Sequence, residues 1–467
     1  MNNMRAKTII AILILVLVIG TGLPPSAAMA YEDPAVCGGC HTEIYEQWNG
    51  SMHSNSWKDP VFQKLYAMQS KETNGLLDVF CARCHTPIGV LSNEVVYGDS
   101  SKLSEISQKG IQCDFCHTVN ASTGVGNGAF VSSPGKIKRG PFNDSKSPYH
   151  ETAYSDLHTK SEFCGMCHDV THPTNEKPIE RTYTEWKESP YNTGYPKTTI
   201  HCQDCHMRQK PGLAATGATE RTNIPGKDAT GGPEREHIYT HYFAGGNALL
   251  PGILGSGDHN QLAIERLQNA ARVEIITPEK IKAGEMATVQ VKVTNTGAGH
   301  KLPTGLTEAR EMWLSVTVKD AKGKEIFRSG ALDKDGNVDP KAVIYRTVLG
   351  DSSGSPTLKS WTADHVISDT RIPPKGYSME KYDFHLPESV EGPLAIEVKL
   401  YYHSASQELS DLLFGKGGVD VPEIEMTGTA ANLNVEPASK PKTPGFGMVA
   451  AALALTAMAL FMFRKRR

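Results

Sequence analysis

Three features are scarce in this 467-residue chain: spare cysteine, an excess of charge of one sign, and hydrophobic periodicity in the first half. All 10 cysteines fall within copies of one short motif, so none remains for a disulfide, a separate metal site or a nucleophile. With 48 basic and 51 acidic residues, the net charge is −3, which predicts no nucleic-acid partner. The repeated motif is therefore the main indication of function.

That motif is Cys-x-x-Cys-His, and it occurs five times. Its copies are Cys37/Cys40/His41, Cys81/Cys84/His85, Cys113/Cys116/His117, Cys164/Cys167/His168 and Cys202/Cys205/His206. The spacing is typical of c-type haem attachment, because both thiols can form thioether bonds to one haem edge while the histidine ligates the iron. A zinc or dithiol site would not require histidine after every second cysteine. The sequence predicts five covalently bound haem c groups, each with its motif histidine as the proximal ligand.

The other twelve histidines bear on the function of these haems. An iron held by two histidines only passes electrons, whereas an open iron can bind a small molecule. The candidate distal ligands are His53, His150, His158, His241 and His300, with His237 in reserve. His53 follows the first motif by twelve residues, and glycines on both sides of His300 allow close approach to a flat cofactor. A solvated surface histidine is the alternative for each candidate. His259 is expected to be exposed on an amphipathic helix.

Residues 31–270 have the pattern of an α/irregular multihaem domain. Asp59 and Pro60 predict a helix start, and shorter helices are predicted over 102–109 and 182–189. Long stretches rich in Gly, Ser and Pro separate them, at 120–147 and 207–235. Ordinary domains avoid structureless loops of that length, so haem is expected to replace much of the missing apolar core. We therefore expect this region not to fold without its cofactor.

Residues 271–435 change to a hydrophobic period of two. Alternating apolar residues occur at 289–293, 312–318 and 394–402, and Asp320 to Gly323 predicts a hairpin turn. Several short strands with turn signals and no cysteine indicate an antiparallel all-β sandwich. This domain is either a spacer or, through His300, a contributor of one haem ligand.

The two ends have the composition of targeting segments. Residues 1–30 predict a secretory signal peptide, with a basic start, a short apolar stretch and small residues before a cleavage point. A retained anchor is the alternative. Residues 436–445 form a polar stalk, and 446–467 form an apolar run with a basic end, long enough to span a bilayer. The PGF sequence at 444–446 resembles an archaeal C-terminal sorting signal, and the resemblance implies a surface protein with a tail that can be exchanged for a lipid anchor.

The motif region also resembles a known family. The residues that carry the resemblance are CGGCH at 37–41 with Trp48, Ser51 and His53, CARCHTP at 81–87, GIQCDFCH at 110–117 and SEFCGMCH at 161–168. They resemble the multihaem c-type cytochromes related to the tetrahaem electron carrier of nitrifying bacteria. The resemblance implies mostly bis-histidine haems and electron transfer. This chain departs from the smaller relatives in having five attachment motifs and an extra β-rich region, so their ligand pairing cannot be transferred.

The sequence therefore predicts an exported electron-transfer protein at the outer face of the cell membrane. It would exchange electrons between membrane carriers and a redox partner protein or an extracellular acceptor, with no catalytic side chain. The alternative is a reductase of a small nitrogen or sulfur oxyanion or of hydroxylamine, acting at one open haem. The absence of any Cys-x-x-Cys-Lys motif favours the first reading. A filament subunit and an adhesive surface protein are weaker alternatives.

Overall fold

A computed structural model describes residues 30–95, 102–439, 458–459 and 461. The predicted signal peptide and C-terminal segment lie almost wholly outside these residues. Within the described ranges, no helix is both long and apolar enough to cross a membrane.

The helices of the first 270 residues are short. The helices of the described chain are α1 (Pro34–Gly38), α2 (Thr42–Trp48), α3 (Pro60–Thr73), α4 (Asp78–His85), α5 (Pro87–Leu91), α6 (Cys113–Thr118), α7 (Ser161–Gly165), α8 (Thr182–Lys187), α9 (Cys202–His206), α10 (Leu249–Ile253), α11 (Gly257–Gln268) and α12 (Gln407–Phe414). Five of these, α1, α4, α6, α7 and α9, carry motif cysteines, so each attachment motif begins on a helical turn. The motifs thus have local order although little regular structure surrounds them.

The longest of these helices confirms its sequence prediction. The Asp59 side chain accepts hydrogen bonds from the first backbone amides of α3, and Pro60 takes the first helical position. Two other helix predictions need correction. Residues 102–109 contain only a 3-10 turn at Ser107–Lys109, which Gly110 ends at a φ of 66°. The helix that begins at Thr182 ends at Lys187, two residues earlier than predicted.

The strands are concentrated after residue 270. In chain order they are β1 (Val119–Ser122), β2 (Phe130–Ser132), β3 (Ile137–Gly140), β4 (Glu151–Tyr154), β5 (Val170–Thr171), β6 (Pro178–Glu180), β7 (Ala271–Ile276), β8 (Lys280–Lys282), β9 (Met286–Asn295), β10 (Glu311–Lys319), β11 (Glu325–Ser329), β12 (Ile344–Tyr345), β13 (Thr347–Gly350), β14 (Pro356–Thr357), β15 (His365–Asp369), β16 (Tyr377–His385), β17 (Leu394–His403) and β18 (Ile424–Glu436). Strands β1 to β6 form three two-stranded sheets, which lie in the segments between the third and fifth motifs.

The second half builds two larger sheets around one core. One sheet has the order β16-β9-β7, and the other has the order β11-β10-β17-β18-β8. The predicted hairpin is confirmed, because Asp320 to Gly323 joins the antiparallel pair β10 and β11. The prediction of a wholly antiparallel sandwich is not met, since β8 pairs with β18 in parallel. The parallel pair forms because the last strand returns beside a short strand near the start of this region.

The core of the second half lies between these sheets. Alternate residues of the long strands point inward, as in β9, where every second side chain is buried. Leu314, Val291 and Leu400 are among its fully buried members. The first half has only small apolar clusters, such as the one formed by Ile88, Phe115 and Phe130. These clusters lie around a large internal space, which is described next.

Candidate haem site

A continuous apolar cavity of about 1810 Å³ runs through the first half. All ten cysteines and all five motif histidines line it. The structure therefore brings together residues that are spread over 170 positions of sequence. An apolar space of this size, lined by every Cys-x-x-Cys-His motif, fits covalently attached macrocycles. Haem bound there would supply one-electron redox chemistry.

The motif histidines are oriented for metal ligation. Four of them direct Nδ1 at a backbone carbonyl oxygen: His41 at Asp228 (2.6 Å), His85 at Ser56 (2.9 Å), His117 at Arg139 (2.5 Å) and His206 at Ala244 (3.0 Å). A carbonyl oxygen only accepts hydrogen bonds, so Nδ1 must carry the proton in each case. Nε2 then keeps its lone pair for a metal, which is the orientation that ligating histidines use.

The fifth motif histidine has a different partner. The Nδ1 atom of His168 lies 3.5 Å from the Oε1 atom of Glu180 on β6. Burial by itself lowers the pKa of His168, but the Glu180 carboxylate outweighs it and raises that pKa to about 9. Sequence reasoning missed Glu180, because a carboxylate twelve residues beyond a motif has no recognisable pattern. Only the pairing of β5 with β6 brings it to the ring.

Three predicted distal histidines face motif histidines across the cavity. The ring centroids are 6.5 Å apart for His41 and His150, 6.3 Å for His168 and His53, and 6.4 Å for His117 and His241. Two metal–nitrogen bonds of roughly 2 Å, plus about 1 Å from each nitrogen to its ring centre, give a spacing of roughly 6 Å. The observed separations therefore leave space for one metal atom between each pair.

His117 has a second histidine neighbour, His158, at 5.9 Å. Both ring nitrogens of His158 are already in hydrogen bonds, Nδ1 with the Ser155 hydroxyl and Nε2 with the Cys116 carbonyl. His241 uses only Nδ1, which contacts the Tyr239 carbonyl at 2.8 Å. The geometry therefore favours His241 as the partner of His117 and does not support a distal role for His158.

His300 reaches the cavity from the second half of the chain. It lines the cavity with His206, and its charge is one of those that act on the His206 ring. Its Nδ1 atom lies 2.9 Å from the Lys301 carbonyl, which leaves Nε2 unengaged in the same way as in the motif histidines. The loop that carries His300 lines the cavity together with other residues of the second half, among them Arg310 and Tyr402.

A buried ion pair fixes that loop. The Arg371 guanidinium lies 2.6 Å from the Glu185 carboxylate of α8, and their side chains are only 7% and 5% exposed. Glu185 also accepts hydrogen bonds from the Lys301 amide and the Thr304 hydroxyl. These contacts join the strand-rich half to the motif half directly beside His300.

Two further histidine predictions need correction. His237 is not among the described residues that line the cavity, and its Nδ1 atom accepts a hydrogen bond from the Ile224 amide. A reserve role in ligation is therefore not supported. His259 was expected to be exposed, but it is buried and its Nε2 atom contacts the Gln47 carbonyl at 2.7 Å. Helix α11 packs this face against α2, the helix that follows the first motif, rather than towards solvent.

His85 differs from the other motif histidines. Among the ring pairs of the described residues, it has no facing histidine, and its ring instead stacks on Phe62 at 3.6 Å. The two rings are nearly parallel, with an angle of 6° between them. Phe62 is presented by α3, the longest helix of this half. The sequence predicted five candidate distal histidines without pairing them with motifs, and in the described chain the ring neighbour of His85 is Phe62.

Contacts between thiols connect the motifs. Cys37 contacts Cys113, Cys84 contacts Cys167, and Cys164 contacts Cys202 through their side chains. Cys116 of the third motif lies within electrostatic range of Cys164 and Cys167 of the fourth. The fourth motif is therefore adjacent to the second, third and fifth, and the first adjoins the third. All five attachment sites form one connected set.

Comparisons with known proteins give one family model and a similar solved structure. Residues 36–118 match the model of the family described as cytochrome c554 and c-prime. A penta-heme cytochrome c552 from Thermochromatium tepidum has a similar structure, with a TM-score of 0.62 and 19% sequence identity. The match covers 87% of this chain and 100% of that one. The CARDB domain of the PF1109 protein from Pyrococcus furiosus matches 36% of this chain at 12% identity, covering 94% of that domain. Its TM-score of 0.18 is too low to support an argument.

No curated protein matches the sequence. The family model covers only part of the motif region, and the structural match establishes the fold without assigning the activity of the relative. Together, the attachment motifs, the cavity that they line and the similar fold support a multihaem c-type cytochrome. Such a protein carries covalently bound haem in an electron-transfer or redox role.

Proposed function

We propose that this protein is an electron carrier in which five haem c groups form a continuous conducting path. The observation that carries the proposal is the facing of histidine rings across one cavity that every attachment motif lines. An iron with two histidine ligands has no position for a substrate, so its role is to pass electrons. Adjacent motifs keep successive macrocycles close together, which short-range electron transfer requires.

The proposed ligand sets follow from the ring pairs at three motifs and, at the fifth, from the shared cavity lining of His206 and His300. Each haem is attached through the two cysteines of one motif and held by the histidine of that motif. The distal ligands are His150 for the first motif, His241 for the third, His53 for the fourth and His300 for the fifth. The chain's part is to hold the imidazoles in orientation through their Nδ1 hydrogen bonds and to exclude water with its apolar lining.

The partners and location that we propose rest on the sequence of the two ends. A secretory signal at 1–30 and an apolar segment at 446–467 favour an exported protein held at the cell surface by that segment or a lipid anchor. Its redox partners are other electron-transfer proteins or an extracellular acceptor. Export also suits the chemistry, because haem is attached covalently outside the cytoplasmic membrane.

Electron paramagnetic resonance of the oxidised, haem-loaded protein tests this proposal. We expect low-spin signals from the three sites with facing histidine rings and from the fifth site, where His206 and His300 line the cavity together. Replacing His150 with alanine should convert one of these signals to high spin, while His365→Ala, on an exposed strand of the second half, should change none. High-spin signals from most of the haems of the unaltered protein would contradict the proposed carrier.

A second candidate function rests on His85, which lacks a facing histidine in the described chain. A haem held there from one side would have an open position, as a reductase of nitrite, hydroxylamine or sulfite requires. We expect a high-spin signal from about one haem in five in that case. The signal should change when one of these compounds is added. A spectrum without any high-spin component would exclude this candidate.

A further inference from the structure

Arg266 is a buried cation without an anionic partner in the described chain. Its side chain belongs to α11, is 9% exposed as a residue and lines the cavity. The guanidinium donates hydrogen bonds to the carbonyls of Cys205 (2.7 Å) and Ala215 (3.1 Å) and to the Gln209 side chain, while Nε has no partner. All three acceptors are uncharged, so the positive charge is not neutralised by these contacts.

This cation acts on the fifth motif. Arg266 lines the cavity together with Cys205 and His206 of that motif. The hydrogen bond to the Cys205 carbonyl holds the guanidinium beside the motif itself. Because the cavity lining is mainly apolar, the charge of the guanidinium is weakly screened there.

Glu180 places the opposite charge at the fourth motif. Its Oε1 atom is 3.5 Å from the His168 Nδ1 atom and also accepts a hydrogen bond from the Thr182 hydroxyl at 3.1 Å. The other four motif histidines contact neutral carbonyl groups. Arg310 is the cation within electrostatic range of Glu180, but its guanidinium donates to the Ser404 carbonyl. The carboxylate therefore faces the ring directly.

The two motifs that carry these charges are neighbours. The thiols of Cys164 and Cys202 are in contact, so the attachment edges of the fourth and fifth sites adjoin. A carboxylate behind a ligating imidazole makes the ligand more basic and favours the oxidised metal. A buried cation near the other metal favours its reduced form, since reduction removes one positive charge beside the guanidinium.

We propose that Glu180 and Arg266 are positioning residues that set a potential difference between neighbouring haems, with the fourth haem lower and the fifth higher. This inference rests on the proposed electron-carrier function and adds a direction to it. The difference in potential between the two haems arises from two protein charges of opposite sign and requires no substrate. An electron that enters the connected haems is therefore more stable on the fifth haem, beside His206 and His300, than on the fourth.

The test is a redox titration of the haem-loaded full chain, followed by electron paramagnetic resonance so that each low-spin site is resolved. Glu180→Gln keeps an acceptor oxygen and removes the charge, so we expect one midpoint potential to shift upward. Arg266→Gln should shift a different midpoint downward, and Arg266→Lys should restore most of that shift. The matched controls are Glu234→Gln and Arg272→Gln, whose side chains are 74% and 70% exposed, and they should leave every midpoint unchanged.

Unchanged midpoints in Glu180→Gln or Arg266→Gln would overturn the inference, as would shifts in the opposite direction. Failure of the carrier function is recognised separately, by high-spin signals from most sites of the unaltered protein. If Glu180→Gln does not accumulate, Glu180→Asp serves instead, because the shorter side chain withdraws the carboxylate from His168 and should also raise that midpoint.

Discussion

Residues 30–270 and 271–436 bury their side chains in different ways. The first region surrounds an apolar cavity with short helices, three two-stranded pairs and small clusters of apolar side chains. The second region packs long strands around a continuous core in which Val291, Leu314 and Leu400 are fully buried. The interior of the first region is a cavity that haem would fill, whereas the interior of the second region is filled by its own side chains.

The difference explains why cysteine is confined to the first region. A domain without enough apolar core needs another source of stability, and here covalently attached cofactor would supply it. The strand-rich region needs no such support and contains no cysteine. It nevertheless contributes His300 to the cavity, and the Arg371–Glu185 ion pair holds that contribution in place. The two regions are therefore joined beside His300, and other contacts, such as the ion pair of Lys359 with Glu72, also connect them.

The largest expected effect comes from withholding haem. When the full chain is produced without haem attachment, we expect residues 31–270 to remain unfolded, because the cavity lining would otherwise be exposed to water. Residues 271–436 should keep their core. Limited proteolysis should then leave a resistant fragment from the second region, whereas the haem-loaded protein should be resistant throughout. Equal resistance of the first region with and without haem would contradict this comparison.

A smaller effect is expected from breaking the Arg371–Glu185 ion pair between the two regions. Arg371→Met leaves the Glu185 carboxylate buried without its cation, which should cost about 3–5 kcal/mol of unfolding free energy. The matched control is Lys322→Met, which removes an exposed pair with Glu391 and should leave the unfolding free energy nearly unchanged. Denaturant unfolding of the haem-loaded protein measures both. Equal costs for the two variants would show that the Arg371 contact does not couple the regions.

The smallest expected effect depends on pH. Glu308 is 4% exposed, its Oε2 atom has no hydrogen-bond partner, and burial raises its pKa to about 7. A raised carboxyl pKa favours folding at low pH, and this stability is lost as pH rises through the folded value. Glu308→Gln does not titrate. We therefore expect it to gain stability relative to the unaltered protein between pH 5 and pH 8, by at most roughly 3 kcal/mol.

Thermal unfolding of both proteins at the two pH values measures this gain. Glu234→Gln, at an exposed position of the first region, is the control and should show no comparable difference between pH 5 and pH 8. An advantage of Glu308→Gln that is the same at both pH values would mean that the carboxyl group does not titrate in this range. The difference in stability between the two proteins would then come from packing alone.

Local patterns predicted those features that depend on neighbouring residues. Asp59 followed by Pro60 predicted the start of α3, and the turn at Asp320 predicted the hairpin between β10 and β11. The choice between His158 and His241 could not be made in this way, because it depends on which ring nitrogens are already hydrogen-bonded. The parallel pairing of β8 with β18 joins strands more than 140 residues apart, and periodicity carries no information on such partners.

The sequence by itself determined the chemistry: the Cys-x-x-Cys-His spacing specifies thioether attachment and a proximal histidine within five consecutive residues. It also determined the change from an irregular to a strand-rich region, because hydrophobic period is a local property. Only the tertiary structure decided which histidines face each other, that His85 stacks on Phe62, and that Glu180 and Arg266 lie beside neighbouring motifs. These arrangements join residues far apart in the chain, and folding around a common cavity brings them together.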